Sequence, residues 1–469
     1  MRLTLENVYQ RGNLLVRVSR ATPPPPKIER DADAPRIEVL SSAALREVLA
    51  KAAYFERLDM RANEWKRCHV PPWVVSAIDS RNQWPVPTLE AVSEVPMLRA
   101  DGTVIDRPGF DIESGVYFAP TTDFPVVCNV KEARDSLLDL VTDFPFAGDA
   151  NRSAWFASTL TPLARLALKG CAPLNLFDAN APGSGKTLLA KATSIIATGR
   201  SMAVTTAPEN DGEWRKRVTA IALEGEPCVL LDNIHGELRS AAFDAALTAT
   251  EWSDRILGVS KTVKLPLRVT FFATGNNVIL GRDTRRRTNY CRLESREENP
   301  EHRTGFKHTD LLTFVHASRG YLTACALAIL RGYCEAGRPK QCAPLGSFES
   351  WSELVRSATI WCGLPDPIAT QSDLQAADSD TTLLQALLAG WRELGDGTGF
   401  TAAEAIEAVE YHPDKFHTLR AALADIDGRG GKRQALGQAL YKYRGRVCGG
   451  LCFTRAERGK VSVWQVEAA

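Results

Sequence analysis

The sequence predicts an α/β protein organised around one phosphate-binding loop. Three observations support this fold class: a short apolar run typical of a buried strand, a glycine-containing loop after it, and a helix that begins at Lys186. The apolar positions of the strand are Leu174, Leu176 and Phe177. A strand, a loop and a helix in this order present backbone N–H groups and a helix N-terminus to a phosphate.

The loop fits the pattern G-x-x-x-x-G-K-[ST] except at its first position, which is Asn180. We expect Asn180 to replace glycine because asparagine tolerates the left-handed conformation better than most residues. Lys186 is placed to reach the β- and γ-phosphates, and the Thr187 hydroxyl is placed to hold Mg²⁺. A chance glycine-rich helix cap is the alternative. The predicted nucleotide contacts are Asn180, Pro182, Gly183, Ser184, Gly185, Lys186, Thr187 and Leu188.

Composition is that of a globular protein. A chain of 469 residues with 44% hydrophobic content is long enough for about three domains, each with its own core. The formal net charge of +1 excludes a generally basic protein, so any nucleic-acid surface must be local. The 11 cysteines include no C-x-x-C pair, which favours reduced thiols. With no signal segment and no long apolar run, we expect a soluble cytoplasmic protein without a membrane partner.

Changes of composition predict three parts. Residues 1–145 combine strand-like alternation, the stiff run Pro23–Pro26 and a helix at 42–58, which predicts an α+β accessory module without a catalytic role. Residues 150–365 carry the phosphate-binding loop. Residues 380–469 follow a Pro- and Asp-containing linker and form the third part.

An acidic residue ends the apolar run at 227–233. Asp232 fits an Mg²⁺-binding role, because the carboxyl ends of such strands open at a nucleotide crevice. The next residue, often Glu in enzymes that polarise an attacking water, is Asn233. Three interpretations stay open: Asn233 orients water without acting as a base, a carboxylate from elsewhere replaces it, or hydrolysis is slow.

Polar and basic residues follow the next buried strand, at 267–277. The amide of Asn276 could contact the γ-phosphate and the attacking water, although Thr-Gly-Asn-Asn is also ordinary turn chemistry. The run Arg285-Arg286-Arg287 comes soon afterwards. Such a run is commonly a solvated face, but here Arg286 or Arg287 is placed to reach the nucleotide of a neighbouring subunit.

The last part of the chain predicts a winged helix, a variant of helix-turn-helix. Four helices at 382–394, 401–409, 416–426 and 433–443 precede two strands at 447–454 and 460–466. Residues 428–460 hold nine basic residues and one acidic residue, a local excess of about +8. We expect this part to bind the backbone of duplex DNA rather than to be merely solvated. The predicted contacts are Arg433, Lys442, Arg444 and Arg446.

Five phrases of the sequence resemble the AAA+ ATPases and, more narrowly, the replicative DNA helicases of prophages, plasmids and staphylococcal cassette elements. They are the segments at 181–190, 229–233, 252–258, 273–277 and 346–351. The resemblance covers about 150–365 and implies that Lys186 and Thr187 are Walker A, Asp232 is Walker B and Asn276 is sensor 1. It further implies ATP and Mg²⁺ as cofactors, Arg286 or Arg287 as arginine finger, and a hexameric ring.

The resemblance also implies a helical lid and a channel hairpin. Helical spacing at 311–333 and 350–361 supports the lid, where Arg356, Arg319 and Arg331 compete as a sensor 2 arginine. Two β-prone runs flank Ser260-Lys261-Thr262, which predicts a hairpin. In helicases of the MCM and superfamily 3 kind, a hairpin at this place projects into the channel. Lys261 is the first candidate for the single-strand contact and Lys264 the second; a solvated tip is the alternative.

The sequence therefore predicts a ring-forming, ATP-dependent DNA helicase for the replication of a phage or mobile genetic element. Its partners would be DNA, copies of itself and element-encoded replication proteins. Two alternatives stay open. One is an ATP-dependent helicase loader or origin initiator, and the other is a non-replicative AAA+ switch that binds DNA.

Overall fold

The computed structural model describes residues 6–20, 34–234, 236–256, 262–295, 297, 300–376, 379–395, 398–426, 432–445, 448–459 and 461–468. The chain divides into two compact units, Met1–Gln371 and Ser372–Ala469. Residues 1–145 thus belong to the same unit as the phosphate-binding loop, and the three-part boundaries remain a prediction. No helix in the described ranges is long and apolar enough to span a membrane.

The first part of the larger unit consists of short strands and three helices. The elements are β1 Tyr9–Arg11, β2 Leu14–Arg20, β3 Pro35–Val39, α1 Ser42–Ala52, β4 Glu56–Asp59, β5 Glu64–Arg67, α2 Pro72–Asp79, β6 Ala91–Ser93, β7 Met97–Leu98, β8 Val104–Ile105, β9 Gly109–Asp111, β10 Val116–Phe118 and α3 Val130–Asp139. Strands β1, β2 and β3 form an antiparallel sheet. Its turn at Gly12 reaches toward the later part of the unit.

The rest of the larger unit alternates strands and helices. The elements are α4 Asp149–Ala164, β11 Leu174–Ala179, α5 Lys186–Thr198, β12 Ala203–Thr205, α6 Asp211–Glu224, β13 Cys228–Ile234, β14 Glu237–Leu238, α7 Ala241–Ala246, β15 Glu251–Arg255, β16 Thr262–Pro266, β17 Thr270–Asn276, β18 Ile279–Leu280, α8 Arg282–Arg285, β19 Thr288–Leu293, α9 Leu311–Glu335, α10 Glu349–Trp351 and α11 Ser357–Trp361. A π-helical turn, Ser352–Arg356, joins α10 to α11.

A parallel sheet with the order β12, β13, β17, β11, β19 forms the centre of this unit. Every residue of β11 is buried, as expected for a parallel strand that is covered on both faces. One core cluster joins α4, α5 and α9 to the sheet, with Trp155, Ile195 and Leu327 among its buried members. The predicted α/β class is therefore confirmed, with strand, loop and helix in the expected order.

The smaller unit is helical and ends in a β-hairpin. Its elements are α12 Gln371–Ala376, at the boundary, α13 Ser379–Leu394, α14 Ala402–Tyr411, α15 His417–Ala424, α16 Lys432–Tyr443, β20 Leu451–Arg458 and β21 Val461–Ala468. The hairpin strands pair antiparallel, and Trp464 also forms two backbone hydrogen bonds with Phe400. The indole of Trp391 donates to the Trp464 carbonyl at 2.9 Å, which ties α13 to the hairpin.

Candidate nucleotide site

The carboxyl ends of β11, β13 and β17 meet at one edge of the central sheet because the three strands are parallel neighbours. Ala179, the last residue of β11, is paired with Asn276 of β17, and Leu231 of β13 is paired with Ala273. The loop after β11, the acidic residue Asp232 and the amide of Asn276 therefore lie together. The sequence placed these residues in separate segments, and the sheet brings them to one site.

Two glycines give the loop its conformation. Gly183 and Gly185 have φ angles of 72° and 89°, in the left-handed region. A Cβ atom at Gly185 would lie 2.9 Å from the Phe144 ring, and one at Gly183 would lie 2.6 Å from a Glu301 carboxylate oxygen. Gly185 also caps the N-terminus of α5, so the loop delivers backbone N–H groups and a helix N-terminus to one place.

Asn180 does not adopt the left-handed conformation that we expected. Its side chain instead forms two hydrogen bonds with the backbone of Ser295: Nδ2 donates to the carbonyl at 2.8 Å, and Oδ1 accepts from the N–H at 3.0 Å. Asparagine therefore ties the start of the loop to the segment after β19. The tolerance of asparagine for the left-handed conformation is thus not used here, and the role of Asn180 as a nucleotide contact stays a prediction.

Lys186 is almost fully buried, with 9% of its surface exposed. Its Nζ donates to Asn276 Oδ1 at 2.7 Å and to the Ala181 carbonyl at 3.3 Å. Burial lowers the pKa of Lys186, while the carboxylates of Asp178 and Asp232 oppose that shift. The ammonium group thus has neutral hydrogen-bond acceptors, and two carboxylates stabilise its charge from nearby.

Thr187 and Asp232 form an oxygen pair beside the loop. The Thr187 hydroxyl donates to Asp232 Oδ1 at 3.1 Å, and the Thr274 hydroxyl donates to the same oxygen at 2.5 Å. A hydroxyl next to a carboxylate is a donor set that suits Mg²⁺, which prefers oxygen ligands. Asn233 has φ 57°, and its N–H donates to the Thr274 hydroxyl at 3.0 Å. The register of β13 against β17 shifts between Leu231 and Ile234, next to this residue.

A buried ionic network behind the loop was missed from the sequence. Asp178 Oδ2 accepts from the Arg292 guanidinium at 2.8 Å and from the Tyr290 hydroxyl at 2.9 Å. Asp178 Oδ1 accepts from the Val278 N–H at 3.2 Å, and Arg292 also donates to Asn277 Oδ1 at 2.9 Å. Burial raises the pKa of Asp178 despite these donors. The available signal was a carboxylate inside a strand whose other residues, apart from Asn175, are apolar.

A cavity of about 250 Å³ lies beside the loop and was also missed. Gly183, Ser184 and Gly185 form one wall. Apolar side chains dominate elsewhere, notably Phe144 and Phe306. The cavity therefore offers aromatic and aliphatic surface directly next to the phosphate-binding backbone. Its residues come from segments before and after the sheet, so no local pattern indicated it.

The two finger candidates lie in different environments. Arg286 has a 65% exposed side chain and pairs with Asp283 at 2.9 Å, one helical turn away. Arg287 has a 14% exposed side chain, pairs with the carboxylate of Asp244 at 3.2 Å and donates to the Asp244 carbonyl at 3.1 Å. Arg287 therefore faces its own chain, whereas Arg286 faces solvent.

Arg356 likewise has partners within its own chain. Its guanidinium donates to both carboxylate oxygens of Asp366, at 2.8 and 2.6 Å, and to the Ala343 carbonyl at 2.9 Å. Arg356 is buried in this bidentate pair, which holds the segment after α11. Arg319 donates to the Gly199 carbonyl. The sequence-based candidates for a sensor 2 arginine thus all stay predictions.

The DNA-contact candidates lie in two places. Strands β15 and β16 pair antiparallel, as the predicted hairpin requires, and Lys264 pairs with Glu251 at 2.8 Å on its exposed face. Lys261 lies outside the described residues, and so does Arg446. The other three are exposed residues of the smaller unit: Arg433, Lys442 and Arg444.

No protein-family model and no curated protein sequence matches the chain. The chain is similar to the solved structure of the NrS-1 C-terminal region, with 13% identity and a TM-score of 0.41, over 90% of this chain and 98% of that one. It is also similar to the SCCmec type IV Cch helicase, with 11% identity and a TM-score of 0.36, over 100% and 98% of the two chains. The chain is also similar to the JCV helicase, with 12% identity and a TM-score of 0.26, over 53% of this chain and 72% of that one. All three TM-scores lie below 0.5, and none of these similarities is used to assign a function to the chain.

Proposed function

We propose that the chain is an AAA+ ATPase that binds ATP with Mg²⁺ and separates DNA strands as a ring-forming helicase, in the replication of a phage or mobile genetic element. The observation that carries the proposal is the meeting of Lys186, Thr187, Asp232 and Asn276 at one edge of the sheet. A phosphate-binding cation, a metal-binding oxygen pair and a polar amide are the groups that phosphoryl transfer needs.

Each group has a defined role in this proposal. Lys186 exchanges its neutral acceptors, Asn276 and Ala181, for charged phosphate oxygens. Thr187 and Asp232 hold Mg²⁺, which supplies charge neutralisation on the phosphates. Asn276, together with Asn233, orients the attacking water. The cavity beside Gly183 receives the base, because its aromatic wall suits a flat, largely apolar ring.

The hairpin formed by β15 and β16 supports movement of DNA. It is inserted between α7 and β17, so it is connected directly to the strand that carries Asn276. Lys264 lies on its exposed face and Lys261 in the connection between the two strands. In the proposed ring these lysines contact the phosphates of the single strand in the channel.

The proposed ring rests on Arg286, the arginine candidate that faces solvent. Arg286 and its partner Asp283 are exposed, so Arg286 can extend toward a neighbouring subunit, whereas Arg287 and its partner Asp244 are largely buried. A finger supplied by a neighbour stabilises the charge of the transferred phosphoryl group and requires an oligomer, for which we propose a hexamer. Helices α9 to α11 are the proposed lid.

The smaller unit is the proposed winged helix for duplex DNA. Helices α14, α15 and α16 precede the hairpin of β20 and β21, and the backbone pairing at Phe400 adds the short strand typical of that fold. Arg433 and Lys442 lie on α16, the helix directly before the hairpin, and Arg444 and Arg446 follow it. Element-encoded replication proteins remain the proposed further partners.

The first test is unwinding of a forked duplex with ATP and Mg²⁺. Lys186→Ala removes the phosphate-binding cation and should abolish both ATP hydrolysis and strand separation. Lys216→Ala is the matched control, because that exposed lysine of α6 pairs only with Glu213 among the described residues. Unchanged unwinding by Lys186→Ala would reject the proposed site. Hydrolysis without unwinding by the native chain would instead favour the loader or switch function.

A further inference from the structure

A second cavity, of about 290 Å³, lies at the opposite edge of the central sheet from the loop. Its wall includes Ala203 and Cys228, the first residues of β12 and β13, and Arg268, two residues before β17. Arg11 at the end of β1, the start of β3, strand β6 and the C-terminal ends of α4, α5 and α6 also contribute to the wall. The cavity therefore lies where the N-terminal strands meet the amino-terminal edge of the sheet.

Two buried arginines in this wall have no carboxylate hydrogen-bonded to them among the described residues. Arg11 is 2% exposed and donates to the carbonyls of Glu90, Ala222 and Pro266 at 2.6, 3.1 and 3.3 Å. Arg165 is 4% exposed and donates to the carbonyls of Gly170 and Leu267 at 2.8 and 3.2 Å. The Nε atom of each is buried without a hydrogen-bond partner.

A third arginine adds positive charge at the same place. Burial, together with the nearby guanidinium of Arg268, lowers the pKa of Arg11 and of Arg165 to about 10 each. The carboxylate of Glu90 accepts from Arg268 at 3.3 Å and also favours the charged form of Arg11. Glu90 thus acts on two of the three guanidinium groups, Arg268 and Arg11, and not on Arg165. Buried charges are normally matched by opposite charges, so this cluster lacks anionic groups.

The remaining charged residues of the wall do not supply the missing negative charge. Arg200 forms a bidentate pair with Glu94, so these two charges cancel. Arg36 is exposed, and burial raises the pKa of Glu226, which disfavours its negative form. In total the described wall holds five arginines and three glutamates.

We infer that this cavity binds a small phosphate-bearing anion, at a site separate from the phosphate-binding loop. Guanidinium groups suit phosphate because their planar N–H groups match its oxygens. Arg268, which shares Glu90 with Arg11, and the exposed Arg36 make the direct contacts. Arg11 and Arg165 contribute their charge through a low-dielectric interior. A recessed cavity of this volume admits pyrophosphate or a mononucleotide and excludes a DNA duplex.

The test uses inorganic pyrophosphate and the full chain carrying Lys186→Ala, which removes the cation of the loop. Calorimetry in Mg²⁺-free buffer at constant ionic strength should show saturable binding, and the melting temperature should rise with pyrophosphate concentration. Adding Arg268→Gln should weaken binding at least tenfold, because it removes a direct contact. Adding Arg36→Gln should also weaken it. Arg152→Gln, at an exposed pair with Asp149, should leave it unchanged.

Three results would overturn the inference. The first is the absence of saturable pyrophosphate binding in the Lys186→Ala chain. The second is equal affinity with and without Arg268→Gln. The third is a dependence on Arg268 for a single-stranded oligonucleotide but not for pyrophosphate, which would assign the cluster to nucleic acid. Because the loop is already disabled, none of these results depends on the proposed helicase activity.

Discussion

Arg292 and Asp178 hold the turn that follows β17. Asp178 accepts from the N–H of Val278, and Arg292 donates to the side chain of Asn277, so both flank the position next to Asn276. Asn276 in turn contacts the Lys186 ammonium. The pair is therefore a positioning device that acts on the site through the turn.

Arg292→Gln should impair turnover more than nucleotide binding. The variant leaves a buried carboxylate without its ion pair, which costs about 3 kcal/mol of folding stability. Loosening the turn around Asn276 should lower kcat for ATP hydrolysis about tenfold, with a smaller change in KM. Steady-state kinetics and denaturant unfolding measure the two effects.

A second substitution separates positioning from simple destabilisation. Adding Asp178→Asn to Arg292→Gln removes the unpaired charge, so stability should partly return while kcat stays low. If the two substitutions destabilise the chain additively, the ion pair does not couple β11 to β19. If kcat and KM stay at their native values in Arg292→Gln, the pair does not position Asn276.

Residue types at fixed spacing made part of this site predictable. Lys186, Thr187 and Asp232 follow from a loop pattern and from an acidic strand end, both of which are local in sequence. The pair of Asp178 and Arg292 spans 114 residues. Its formation depends on the neighbouring positions of β11 and β19, and strand order is not encoded in any single segment.

At the scale of elements, the turn between β1 and β2 supports the inserted hairpin. Asn13 Nδ2 donates to the Thr262 carbonyl, and Asn13 Oδ1 accepts from the Lys264 N–H, both at 3.1 Å. Gly12 has φ 56° and approaches so closely that a Cβ atom there would lie 1.8 Å from the Lys264 carbonyl oxygen. The N-terminal part of the unit thus fixes the base of the hairpin.

Gly12→Ala should therefore displace β16. The left-handed φ alone costs about 1 kcal/mol, and the clash with the backbone of β16 adds to it. We expect DNA-stimulated ATP hydrolysis and unwinding to fall, while ATP binding stays near native because Gly12 contacts β16 and not the phosphate-binding loop. Hydrolysis with and without DNA, together with nucleotide titration, measures this.

Gly337→Ala is the matched control for this change. Gly337 has φ 81°, and a Cβ atom there would meet nothing within 4 Å. Gly337→Ala therefore introduces the same backbone strain as Gly12→Ala but no steric clash. Equal losses of DNA stimulation in both variants would show that strain, and not the hairpin, is responsible. Native DNA stimulation in Gly12→Ala would mean that β16 does not depend on the turn.

Elements with strong local patterns were predictable, and those that depend on distant partners were not. The predicted start of α5 at Lys186 is confirmed, since Gly185 caps it there. The short strands β6 and β10 pair in parallel although 22 residues separate the end of one from the start of the other. No alternation can develop over three residues, so only the pairing defines such strands.

At the scale of the whole molecule, the proposed active site is shared between subunits. Lys186 belongs to the chain that binds the nucleotide, and the solvent-facing Arg286 would come from its neighbour. Arg287, the other candidate, pairs with Asp244 in the same chain and is less exposed. A closed ring of such heterologous contacts gives every nucleotide one lysine and one arginine from different chains.

This arrangement predicts that two inactive variants restore activity when they are mixed. Lys186→Ala and Arg286→Ala should each abolish ATP hydrolysis, since every site lacks one group. In randomly mixed rings at equal amounts, about a quarter of the sites combine an intact Lys186 with an intact neighbouring Arg286. Hydrolysis should therefore rise toward that fraction of the native rate after exchange of subunits, measured as phosphate release. No recovery in rings shown to be mixed would place the finger elsewhere.

Arg287→Ala serves as the comparison. It leaves the Asp244 carboxylate half-buried without its ion-pair partner, so it should lower the melting temperature of each chain. Mixing should not reverse that loss of stability.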